Sequence, residues 1–180
     1  MPVGADGSER DNRSMVELEL VRALDDRRLY SLGDVGTLRL EGFFSRGATA
    51  AAGGRSWQIS RHGFWQREIQ AIDPAGTVVG EFVPRGLRRG GTITWAGEQF
   101  TLHPAGPLRE RYVLAADERD LALIEGKSWG KKPVQVKLVE HEPPAPGLLL
   151  FAAFVVRQLA VNAANAAAGG GTAAVAGSSG

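Results

Sequence analysis

Histidine is the residue type in this 180-residue chain best suited to both metal binding and proton transfer near neutral pH. It occurs three times, as His62, His103 and His141, and none has a metal-binding partner at the i+3 or i+4 spacing. Cysteine does not occur, which excludes disulfides, thiolate catalysis and cysteine-ligated zinc. We therefore predict that the protein holds no metal ion and no cofactor.

The sequence motifs of common catalytic sites are also missing. The chain has no Gly-x-Ser-x-Gly, no His-Glu-x-x-His, no P-loop and no dinucleotide fingerprint. Short acidic clusters occur at Asp25 and Asp26 and around Asp117, without the spacing of a calcium-binding EF-hand. These observations favour a non-enzymatic binding or scaffold domain. An enzyme that uses scattered polar residues without a recognisable motif is an alternative.

Two basic segments, VPRGLRRGG and GKSWGKK, are the features best suited to binding a ligand. Lys and Arg side chains bind phosphate groups, and tryptophan suits a lipid interface, so we predict that both segments lie at one end of a barrel and hold an anionic head group. The alternative is that their charges keep the loops soluble and the strand edges unpaired. The candidate ligand-binding residues are Arg85, Arg88, Arg89, Lys127, Trp129, Lys131 and Lys132.

The total charge restricts the choice of partner. A net charge of +1 provides no global field for nucleic acid or an anionic membrane, so any such binding needs a local patch. Trp57, Trp65 and Trp95 lie on strand-like segments and are interpreted as packing residues rather than a stacking platform for bases. The predicted partners are an anionic phospholipid or phosphoinositide, or a protein, and we expect a monomer that does not bind nucleic acid.

The elements that must position these loops are short strands joined by tight turns. MVELELV alternates Val16, Leu18 and Leu20 with glutamates, which is the period of a half-buried strand. REIQAI and TVVGEFV flank DPAG, whose Asp-Pro-x-Gly order is typical of a type I turn. The next hairpins turn at Ala96 and Gly97 in GTITWAGEQFTLH and at 116–119 in RERYVLAADERDLALIEGK, and KKPVQVKLVE alternates once more. This pattern predicts an antiparallel meander that closes into a barrel or sandwich.

The C-terminal stretch GLLLFAAFVVRQLA predicts a helix. Its uninterrupted apolar run, from Leu148 to Val156, is shorter than the roughly 20 residues that span a bilayer, and Arg157 and Gln158 follow directly. The run is apolar on every side, as in a helix enclosed by protein. We therefore predict an all-β fold with one C-terminal helix, in which the barrel closes around a buried hydrophobic helix. A tail anchor at residues 148–165, or a helix that docks on a partner, is the alternative.

The hairpins WQREIQAIDPAGTVVGEF, ITWAGEQFTL and ERYVLAADERDLALIEGKSW, followed by VQVKLV and the apolar helix, resemble the tubby C-terminal-like superfamily. That superfamily includes LURP-one-related proteins and phospholipid scramblases. The resemblance implies a closed barrel of about twelve strands with the last helix through its centre. It also implies binding of anionic lipid head groups by basic residues. The chain lacks the calcium loop and acylated cysteines of scramblases, and lipid scrambling is therefore not expected.

The predicted domain organisation has three parts. Residues 1–14 are polar and form a flexible N-terminal segment, and residues 165–180 form a disordered Ala/Gly tail. Residues 15–164 form the tubby/LURP-one-like barrel, with its central helix at about 147–162. The first residues lack the apolar segment of a signal peptide, so we predict a cytoplasmic protein that lies at a membrane surface.

Overall fold

The computed structural model describes residues 16–42, 47–63, 67–86, 90–106, 110–127, 130–139 and 143–169. These residues form twelve antiparallel strands in a closed barrel and one C-terminal helix, which confirms the predicted fold class. The elements are β1 Val16–Arg22, β2 Leu29–Leu32, β3 Gly36–Leu40, β4 Gly47–Ala52, β5 Arg55–His62, β6 Glu68–Ile72, β7 Val78–Pro84, β8 Gly91–Trp95, β9 Glu98–Pro104, β10 Arg111–Ala116, β11 Arg119–Gly126, β12 Val134–Leu138 and α1 Pro146–Gly169.

The strand order is a simple meander. Each strand pairs with its neighbours in sequence, and β1 pairs with β12 to close the barrel. In the closing pair Leu20 lies opposite Val134, so two buried side chains face the interior together. Closure leaves the sheet with no free edge strand.

The hairpins that the sequence predicted are present. The Asp73 carboxylate accepts hydrogen bonds from the amides of Ala75 (2.9 Å) and Thr77 (2.8 Å), and the Gly76 amide donates to the Asp73 carbonyl (3.0 Å). The Asp-Pro-x-Gly turn therefore joins β6 to β7. Two-residue turns join β8 to β9 and β10 to β11, as the alternation on either side of them indicated.

Strands β2 to β5 were not assigned individually from the sequence, and β4 shows why. Its sequence is GATAAA, and its inward residues Ala48, Ala50 and Ala52 are small and buried. Alternation between alanine and other small residues gives no hydrophobic period, so the sequence pattern does not predict this strand. The small side chains allow β4 to pack against α1.

The helix occupies the centre of the barrel, as predicted. All residues from Gly147 to Val156 are buried, because strands surround this part of the helix on every side. Its first turn lies close to two tryptophans: the Trp57 and Trp95 rings make an edge contact with centroids 5.5 Å apart, and Trp95 lies 5.6 Å from the Phe151 ring. The interpretation of Trp57 and Trp95 as packing residues is confirmed, while Trp65 lies outside the described residues.

The helix continues to Gly169, beyond the predicted end near residue 162. Its last residues are mostly exposed and rich in alanine, which has the highest helix propensity, so the helix persists after it leaves the barrel. By length and composition alone α1 could cross a membrane, but 67% of its most apolar window is buried inside the barrel. The segments 1–14 and 170–180 lie outside the described residues.

Candidate functional site at the basic end of the barrel

The barrel has two ends, and the alternation of strand direction assigns each connection to one of them. Connections that follow odd-numbered strands lie at the end that we call the basic end, at 23–28, 41–46, 63–67, 85–90, 105–110 and 127–133. Connections that follow even-numbered strands lie at the acidic end, at 33–35, 53–54, 73–77, 96–97, 117–118 and 139–145. The helix enters the barrel at the acidic end, after β12, and leaves it at the basic end.

Charged residues are segregated between these two ends. Among the described residues of the basic-end connections, seven cations outnumber four acidic residues, a net charge of +3. Those of the acidic-end connections include four acidic residues and no cation, a net charge of −4. The cations are Arg27, Arg28, Arg67, Arg85, Lys127, Lys131 and Lys132, against Asp25, Asp26, Glu41 and Glu110; the opposite end carries Asp34, Asp73, Asp117 and Glu118.

This segregation changes what the net charge of +1 implies. A seven-residue strand such as β7 is about 23 Å long, and a tilt of 35–45° places the ends of the barrel roughly 18 Å apart. The Debye length at physiological ionic strength is about 8 Å, so solvent screens one end from the other. The net charge of +1 leaves no global field, but an approaching anion at the basic end meets the local excess of positive charge that such binding would need.

The predicted ligand-binding residues that the structure describes all lie at the basic end. Arg85 is exposed in the β7–β8 connection, and Lys127, Lys131 and Lys132 are exposed in the β11–β12 connection. Lys132 forms an ion pair of 2.6 Å with Glu19. The β9–β10 connection lies between these two loops, so they share an end without being neighbours. The other candidates, Arg88, Arg89 and Trp129, lie outside the described residues.

A second group of polar side chains surrounds the helix where it leaves the barrel, and sequence analysis did not assign it to the site. Arg61, on the inward face of β5, donates hydrogen bonds to Gln158 Oε1 (2.9 Å) and Asn162 Oδ1 (3.1 Å) of α1. Gln158 is buried, and it lies two residues after Val156, the last residue of the apolar run. These bonds attach the helix exit to the barrel wall and mark the mouth of the basic end.

Arg157 and Arg22 complete this mouth. Arg22 follows Leu18 and Leu20 on the inward face of β1, and the strand register places it opposite the buried Tyr30. Arg157 is half-buried, and burial lowers the pKa of its guanidinium, an effect that its interaction with Tyr30 opposes. Within the described part of the chain, neither arginine forms an ion pair with a carboxylate. The one sequence signal for this site was the Arg-Gln pair that directly follows the apolar run.

Metal binding finds no support among the described residues, which contain no cluster of three or more His, Asp or Glu side chains. His62 and His103 are exposed on strands, and His141 lies outside the described residues. The described residues of the basic-end connections present more cations than acidic side chains. Lys and Arg side chains in such an excess are able to bind anionic groups.

No protein-family model, no curated protein and no solved structure matches this chain. The resemblance to the tubby C-terminal-like superfamily is therefore still a prediction from sequence.

Proposed function

We propose that the protein is a non-enzymatic binding module that places the basic end of its barrel on an anionic phospholipid surface in the cytoplasm. The observation that supports this function is the segregation of charge along the barrel axis. A protein that only needed soluble loops would gain as much from mixed charges at both ends. A one-sided excess of cations gives the molecule an orientation on a negative surface.

The size of the expected attraction follows from the charges. Each Lys or Arg near an anionic leaflet contributes about 1 kcal/mol, so an excess of three cations contributes about 3 kcal/mol. Leu24 in the β1–β2 connection is fully exposed beside Arg27 and Arg28, which suits insertion between head groups.

Membership of the tubby C-terminal-like superfamily is part of this proposal. A twelve-stranded meander with a central C-terminal helix is what that resemblance implied, and this agreement in architecture supports it. A LURP-one-like binding role fits a barrel of this kind better than lipid scrambling, since the chain has no cysteine to acylate.

The membrane-anchored alternative requires a different conformation. For residues 148–165 to insert into lipid, the helix would have to leave the barrel and expose the inward side chains of the strands that pack against it. Burial of one large apolar side chain is worth about 1.5–3 kcal/mol, so emptying the barrel would cost more than the fold can supply. A protein partner with an acidic surface is the alternative that uses the same charges.

Vesicle sedimentation tests the proposal with two matched double variants. Lys127→Gln/Lys131→Gln removes two cations from the basic end, and Arg55→Gln/Arg119→Gln removes two exposed cations beside the acidic end. At about 1 kcal/mol for each cation, the first variant should bind vesicles of phosphatidylcholine with phosphatidylserine about 30-fold more weakly than wild type. The second variant should bind like wild type. No binding by wild type, or equal losses in both variants, would contradict the proposal.

A further inference from the structure

We propose that the mouth of the basic end contains a discrete phosphate site, formed by Arg157 of the central helix and Arg22 of β1, that takes a phosphomonoester group. This site would make the proposed lipid binding selective. It rests on the proposed function in one respect, that the phosphate belongs to a lipid head group rather than to a soluble ester. The exposed lysines and arginines of the connections attract any anionic surface. The two inner arginines would select one kind of head group.

The position of Arg157 is the first observation. The apolar core of α1 ends at Val156, but Gln158 and Ala160 are still buried. The backbone of Arg157 therefore lies inside the rim of the barrel. Tyr30 lies near it on β2, and the strand register places Arg22 beside Tyr30 on the same inward face. The two arginines therefore belong to two different elements, and both lie next to Tyr30 at the end of the barrel where the helix leaves it.

The lack of an internal counter-charge is the second observation. Arg61 at the same mouth donates to two side-chain oxygens of the helix. Arg157 and Arg22 have no hydrogen bond or ion pair with any of the described side chains, and the acidic Glu110 at this end accepts a hydrogen bond from the Tyr112 hydroxyl (2.9 Å). Arg157 is partly withdrawn from water without a carboxylate partner among the described residues, so an anion from outside would stabilise it there.

The chemistry of the guanidinium defines the ligand class. Its planar fork binds two phosphate oxygens at once, which an ammonium group does not. A phosphomonoester carries a charge of about −1.5 to −2 at neutral pH and has three free oxygens. The phosphodiester of an ordinary phospholipid carries a single charge and is covered by its head group. Two half-buried arginines at the mouth therefore favour phosphatidate or a phosphoinositide over phosphatidylglycerol or phosphatidylserine.

Vesicle binding by wild type, Arg157→Gln and Lys131→Gln tests the site. Vesicles contain phosphatidylcholine with either phosphatidate or phosphatidylglycerol, matched in zeta potential. We expect wild type to bind phosphatidate vesicles at least about tenfold more tightly, which one added charge-assisted contact provides. Arg157→Gln should lose this preference and keep the binding to phosphatidylglycerol. Lys131→Gln, which changes an exposed residue in a connection, should weaken both equally and keep the preference.

Thermal unfolding in inorganic phosphate provides a second arm that uses no lipid. Phosphate at about 50 mM, compared with chloride at equal ionic strength, should raise the Tm of wild type and leave that of Arg157→Gln unchanged. Without phosphate, Arg157→Gln should melt at or above the wild-type temperature, because a desolvated cation has been removed. A residue that only packs its aliphatic part against the core would instead give a lower Tm in both buffers.

The outcomes separate this inference from the proposed function. Retention of the phosphatidate preference by Arg157→Gln overturns the site while vesicle binding itself still stands. Phosphate stabilisation that depends on Arg157, without vesicle binding by wild type, supports the site and rejects the lipid surface. Equal binding to both lipids by wild type, with no effect of phosphate, rejects the site alone. If Arg157→Gln does not fold, Arg22→Gln on the barrel wall replaces it with the same expectations.

Discussion

The two ends of the barrel are built from the same strands but differ in the length of their connections, in charge and in packing. At the acidic end, three connections are two-residue turns with positive φ at both positions, at 53–54, 96–97 and 117–118. Such type I′ turns follow the natural twist of a hairpin and leave little chain outside the barrel. At the basic end every connection has five to seven residues.

The central helix reinforces this difference. Its first turn is packed at the acidic end, where a Cβ added at Gly147 would lie 2.4 Å from Trp95 and 2.9 Å from Trp57. The part of the helix that leaves the barrel at the basic end carries the polar residues Arg157, Gln158 and Asn162. One end is therefore closed by packing, and the other presents cations and hydrogen-bonding groups. The closely packed end and the cationic end are thus opposite ends of one barrel.

The largest expected effect comes from placing a charge inside the barrel. Phe151→Asp buries a carboxylate beside Trp95 in the apolar core, and we expect the whole domain to unfold because the cost exceeds the stability of an ordinary domain. Circular dichroism and size-exclusion chromatography measure the result. Asn165→Asp, in the exposed part of the same helix, should fold like wild type. A folded, cooperatively melting Phe151→Asp protein would show that the helix is not enclosed.

The closed packing at the acidic end is probed by Gly147→Ala. Overpacking costs about 1–3 kcal/mol, which exceeds the gain of about 1 kcal/mol that alanine offers in a helix. We expect the free energy of unfolding in urea to fall by up to about 2 kcal/mol, since Trp95 is held by Phe151 and by the close backbone of Gly80. Gly169→Ala, at the open end of the same helix, has free space around its Cβ and should be neutral. Equal effects of both changes would remove the distinction between the ends.

The smallest effect concerns the turn between β10 and β11. Asp117 and Glu118 have φ of 45° and 67°, a region that costs a side-chain-bearing residue about 1 kcal/mol. Glu118→Gly should therefore raise the free energy of unfolding by up to about 1 kcal/mol in thermal or urea denaturation. Glu118→Ala removes the same charge and keeps the Cβ, so it should show no such gain. A similar gain in both would assign the effect to charge rather than to backbone conformation.

The sequence by itself was sufficient for the elements with strong local signals. Asp73, Pro74 and Gly76 define their turn through local hydrogen bonds and backbone preferences, and the alternation around Ala96 and Gly97 requires no distant partner. The burial of residues 147–156 also followed from composition, because a helix that is apolar on all sides must be surrounded by apolar material. The basic residue types in the two loops predict anion binding, which stays a prediction.

Only the tertiary structure decided which charges lie together. A connection lies at one end of the barrel or the other according to whether an odd or an even number of strands precedes it. β4 has no hydrophobic period, and overlooking it would assign every later loop to the wrong end. The charge segregation depends on the placement of all twelve connections. Because the net charge of the chain is near zero, composition alone does not reveal it. Arg157 was visible in sequence only as an interruption of an apolar run. Its place at the mouth, with Arg22 on the same inward side, follows from closure of the barrel around the helix, because closure brings together residues that are distant in sequence.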